Sequence, residues 1–238
     1  ILMDKYSADA LRFLMLSSPV LAGEDFALID KDVSDVARKL SMIWNVFDFF
    51  TMYASVDGFD SRQAISVTEL DNPLDIWLVS KGYVLRNQIT TGMEEYNIPS
   101  ALCNVLGFID DLSNWYVRRS RRRFWKSEDD ADKNAAYSTL YYVLIYLAKV
   151  LAPFVPFLAE ELYQKMTGAA NDSSIVESVH LLDWPDAGEI NQSILDEMAR
   201  TREIITEGLA LRMNKNEKET QIKVRQPLAK FIYRGEPL

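Results

Sequence analysis

Between Asp30 and Ala54 the apolar residues Val33, Val36, Leu40, Ile43, Trp44, Phe47 and Phe50 recur at spacings of three and four. That spacing lays one continuous apolar stripe along a long amphipathic helix. Glycine (9) and proline (8) are both scarce, so the turns that a many-stranded fold needs are missing. Long helices are therefore the natural reading. With 48% hydrophobic residues among 238, the chain holds enough apolar material for a sizeable core, in one large domain or two smaller ones.

The same pattern repeats along the chain. Residues 8–16 read as a short helix closed by Ser17, Ser18 and Pro19. Asp57-Gly58 ends the long helix, and Asn72-Pro73 supplies a capping side chain and then a proline at the first helical position. That third helix is expected to reach about Asn97, and a fourth to run unbroken from about Pro99 to Lys126. A fifth begins near Asn134. Pro153 and Pro156 must break or kink it, because each lacks an N–H and clashes with the preceding turn. The character changes after Thr167, and residues 191–214 are again helical. QIKVRQPL and KFIYRG then alternate like two short strands. The expected architecture is all-α: an antiparallel helix bundle over residues 1–168, with an incomplete appended piece of helix plus short strands over residues 169–238.

One cysteine, Cys103, excludes an internal disulfide and a cysteine-based zinc site. No apolar run approaches the ~18 residues of a membrane span. The opening ILMDKYSADALRF begins close to a helical pattern, which reads as an excised fragment, expected to be monomeric and from a reduced, cytoplasmic setting. His180 has no second histidine or cysteine to share a metal, and no phosphate loop or nucleophile elbow is present. Adjacent Glu160 and Glu161 do not face each other on a helix. No catalytic residue and no metal ligand can be named.

The chain is acidic, with 35 Asp and Glu against 26 Lys and Arg and a formal charge of −9, yet NWYVRRSRRRFW at residues 114–125 holds five arginines. Projected at 100° per residue, Val105, Phe108, Ile109, Leu112, Trp115 and Tyr116 form an apolar stripe that Arg119 and Arg123 continue. Those two arginines are expected to pair with carboxylates inside the bundle. Asn114, Arg118, Arg121, Arg122 and Trp125 fall on another side, followed by Lys126. Two readings stay open for that side. It is a solvated cationic helix end, favoured by the dipole, or a face for nucleic acid, since arginine beside aromatic rings suits phosphates and unstacked bases.

The segments YSADALRFLML, WNVFDFF, DLSNWYVRRSRRRFW, LAPFVPFLAEELYQ and SVHLLDWP occur in that order. Together they resemble the anticodon-binding region of class I aminoacyl-tRNA synthetases of the isoleucine, valine, leucine and methionine group. NWYVRRSRRRFW followed by IKVRQPL is similar to the isoleucyl branch in its eukaryote-like form. The resemblance implies a parent ligase that attaches isoleucine to tRNA(Ile) with ATP and magnesium. This piece carries neither HIGH nor KMSKS and has no room for an editing domain. It is expected to be non-catalytic, to hold no cofactor, and to recognise tRNA alongside the rest of the synthetase chain. The resemblance further implies that Trp115 and Tyr116 pack the helix and that the outward arginines meet the anticodon stem-loop. The corresponding valyl, leucyl or methionyl domain is one alternative. A helical protein-interaction module whose arginine face binds an acidic partner is the other.

Overall fold

The computed structural model describes residues 2–125 and 130–212, with Lys230 and Ile232 besides. All regular structure among the described residues is helical: α1 (Leu2–Tyr6), α2 (Ala8–Leu16), α3 (Asp30–Asp57), α4 (Pro73–Glu94), α5 (Ile98–Leu102), α6 (Val105–Asp110), a π-helical segment (Asp111–Val117), α7 (Arg118–Trp125), α8 (Asp130–Leu151), α9 (Pro156–Thr167) and α10 (Gln192–Arg212), with short 3₁₀ turns between them. The expected strands at QIKVRQPL and KFIYRG lie outside the described residues, apart from isolated Lys230 and Ile232.

The chain divides into two compact units, Ile1–Ile190 and Asn191–Leu238. Residues 169–190, expected with the appended piece, pack within the first unit: Tyr163 donates to the carbonyl of Val176, and Ser178 and Val179 donate to Glu160. The second unit contributes α10.

Local chemistry accounts for the helix ends. Asn72 accepts from the N–H of Leu74 ahead of Pro73 and starts α4. Gly58, at φ 69°, takes the left-handed conformation that closes α3. As the prolines require, α8 stops at Leu151 and α9 starts at Pro156. The break leaves backbone groups that α2 satisfies. Arg12 donates to the carbonyls of Pro153 and Phe154, and the N–H of Leu158 donates to buried Asp9 at 2.6 Å.

The core of the first unit is built from the stripes of α3, α4 and α8, with Ile43, Leu78, Ile89, Leu140 and Leu144 fully covered. The helix expected from Pro99 to Lys126 is not continuous. A turn at Cys103-Asn104 separates α5 from α6, and the π-helical segment separates α6 from α7.

Candidate nucleic-acid interface

The π-helical segment decides which arginines face the core. Widening the bond pattern from i→i+4 to i→i+5 places one extra residue in the turn. One residue is worth about 100° of rotation. Up to the first turn of the segment the buried apolar positions are Val105, Phe108, Ile109 and Leu112, where the 100° projection puts them. From its last turn onward the buried positions are Tyr116, Val117, Ser120 and Phe124, one residue later than an unbroken helix would have.

Two expectations are corrected by that shift. Arg119 does not enter the bundle to meet a carboxylate. It is exposed, with its guanidinium 3.9 Å from the centre of the Trp115 ring. Trp115 is not a core ring either: it is half-buried, and Tyr116 takes the fully buried place.

The segment is held at both ends by ions. At its start Asp110 receives Lys39 of α3 at 2.5 Å and Asn114 at 3.0 Å, while Asp111 receives Lys81 of α4 at 3.1 Å. Beyond it, Arg123 donates two 2.7 Å bonds to the carboxylate of Asp75, which is wholly buried. It also reaches Asp132 through Nε at 2.9 Å and Nη2 at 2.6 Å. Asp75 and Asp132 stand in the first turns of α4 and α8, so one guanidinium ties α7 to two helix starts whose dipoles already favour carboxylates. Burial works against the charge of Arg123, but the bonds from Asp75 and Asp132 outweigh it and raise its pKa. The hydroxyl of Tyr116 donates to Asp75 at 2.6 Å, and burial first, then the Asp75 charge, pushes it well above the ordinary tyrosine value.

The outer side of α7 is left cationic. Arg118, Arg121 and Arg122 are exposed, and among the described residues no carboxylate pairs with them. Asn114 is exposed but engaged with Asp110. Trp125 is 60% exposed, and Lys126 lies outside the described residues. Sequence reasoning did not single out Tyr53 of α3, whose hydroxyl accepts the indole N–H of Trp125 at 2.5 Å. No pattern in the sequence marked it, because its partner lies 72 positions along the chain. Among the described residues no cluster of His, Cys, Asp and Glu could hold a metal ion. No described helix is long and apolar enough to cross a membrane.

The family model for the anticodon-binding domain of tRNA ligase matches residues 75–231, from the carboxylate that anchors Arg123 through the whole arginine helix. The chain belongs to this family. Its relatives include an isoleucine–tRNA ligase of Chlamydia trachomatis, 41% identical over 95% of this chain and 21% of that protein. Another is the isoleucine–tRNA ligase of Chlamydia caviae, 39% identical over 98% of this chain and 22% of that one. The expected resemblance to the isoleucyl branch is thus borne out over nearly the full length. The chain spans about a fifth of the curated relatives it matches. The fold is also that of part of the Agrobacterium radiobacter LeuRS in its ternary complex with tRNA and LeuAMS. That match has a TM-score of 0.53 and 16% identity over 82% of this chain and 21% of that one.

Proposed function

We propose that this anticodon-binding domain serves an isoleucine–tRNA ligase and holds the anticodon stem-loop of tRNA(Ile) against the outer side of α7. The observation that carries the reading is the row of Arg118, Arg121 and Arg122, exposed and, among the described residues, without carboxylate partners, on a chain of formal charge −9. Guanidinium groups left this way in an acidic protein suit planar anions such as phosphate. Attachment of isoleucine, with the ATP and magnesium it uses, is assigned to parts of a longer ligase, in the cytoplasm.

Titration with tRNA(Ile) at several salt concentrations tests the assignment. Replacing Arg118, Arg121 and Arg122 together with Gln weakens binding and lowers the salt slope by roughly 0.7 for each single-stranded RNA phosphate that is no longer neutralised, while the melting curve stays that of the wild type. Unchanged affinity and slope in the triple variant would make the row a structural helix end. Parallel titrations with valine, leucine and methionine tRNAs decide the amino-acid branch. An acidic polypeptide that displaces tRNA and binds as tightly would favour the protein-interaction reading.

A further inference from the structure

Three exposed arginines explain attraction to phosphate but not the exposed indole beside them. Trp125 closes α7 with 60% of its surface in solvent, yet its polar edge is tied by the hydrogen bond to Tyr53. Tyr53 is itself placed by rings, with Phe49 at 4.9 Å and Phe124 at 6.4 Å. Phe124 is buried edge-on to Tyr137 of α8 at 4.9 Å. The exposed indole is therefore anchored from the core outward through its polar edge, with most of its surface left to solvent. Arg121 and Arg122 lie one turn earlier on the same helix, on the side of Trp125.

Resting on the RNA reading above, we propose that Trp125 is the stacking platform for one unstacked base of the bound loop, with Tyr53 the positioning residue that sets its plane. A ring fixed in advance loses little freedom on binding, and every base has a π-face to lay on it. Arginines one turn away reach the phosphates that flank a splayed base. A carboxylate-rich polypeptide would satisfy the arginines but supplies no row of bases to stack on the indole.

The test titrates the 238-residue chain with the anticodon stem-loop of tRNA(Ile), intact or with loop nucleotides made abasic one at a time, at several salt concentrations. Trp125→Ala weakens binding of the intact loop about 5- to 150-fold, the effect of one missing stack, and leaves the salt slope unchanged because every phosphate keeps its arginine. Trp125→Phe keeps most of the affinity. One abasic position abolishes the difference between wild type and Trp125→Ala. Tyr53→Phe folds normally, binds more weakly than wild type, adds nothing in the background of Trp125→Ala, and diminishes the loop-induced fluorescence quenching, which Trp125→Phe reduces further. If Trp125→Ala binds like wild type while the arginine triple variant does not, the platform is refuted and the RNA reading stands. A Trp125→Ala defect that persists undiminished at every abasic position also refutes it. Failure of the wild-type chain to bind the loop at all refutes both.

Discussion

At the scale of single residues, the arginines of α7 meet three different environments. Arg123 is enclosed between two carboxylates, Arg119 lies over an indole, and Arg118, Arg121 and Arg122 stand in water. Removing the charge of Arg123 leaves Asp75 buried without its cation, so Arg123→Gln should destabilise the first unit by about 3–5 kcal/mol. Arg119→Gln gives up one exposed cation–ring interaction and should cost less than about 1 kcal/mol. Urea unfolding of both variants checks the contrast, and equal costs would contradict the placement of Arg119 outside the core. Asp57 supplies a pH test. The Lys133 hydrogen bond first, then the Tyr137 hydroxyl, lowers its pKa below the ordinary aspartate value. A carboxyl group depressed on folding contributes stability that is present above its unfolded pKa, near about 4, and is lost as pH falls through the lower folded value. Wild type should therefore lose stability between about pH 4 and that lower value. Asp57→Asn should be less stable at neutral pH and show a shallower acid decline in the same window, measured as urea midpoints against pH.

At the scale of elements, the π-helical segment behaves as one residue too many in an otherwise regular face. Without Ser113, Tyr116, Val117, Ser120 and Phe124 would follow Leu112 at steps of three, four, seven and eleven, which are the steps of an unbroken helical stripe. Deleting Ser113 should therefore leave a folded protein with a cooperative melt. Deleting Asn45 from the regular α3 turns Val46, Phe50 and Ala54, all buried, by about 100° and should abolish that melt. A chain that tolerates neither deletion would show that the segment does more than absorb a residue. The same segment marks the limit of what was legible in the sequence. Periodicity placed α3, α4, α8 and α10, cap residues placed the start of α4 and the end of α3, and two prolines placed the gap before α9. A 100° projection also located the buried positions from Val105 to Leu112. It then carried the wrong phase into α7, because side-chain pattern does not report which carbonyl a backbone N–H will choose. Arg123 survived the error because it lies at the edge of the buried side, next to Phe124. Arg119 and Trp115 did not survive it. Tyr53 was invisible for another reason, since its meaning comes from a partner far along the chain.

At the scale of the whole molecule, the proposed role is recognition, with amino-acid activation assigned to other parts of a longer ligase. The purified 238-residue protein should show no isoleucine-dependent pyrophosphate exchange in the presence of ATP and magnesium, and no aminoacylation of tRNA(Ile). Measurable exchange by the pure chain would overturn that assignment. The extra residue before α7 has one further consequence, which concerns time. An unbroken helix would have drawn two guanidiniums inward, each neutralised by carboxylates, and left fewer charges outside. The shifted phase encloses only Arg123 and keeps four positive groups together on a chain that is otherwise a polyanion. A strand of RNA drifting toward the outer side of α7 is drawn by that local cluster of charge. The orientation search is then largely finished before contact. Encounters become faster as salt is lowered, while the lifetime of a stacked complex follows the ring contact and changes far less.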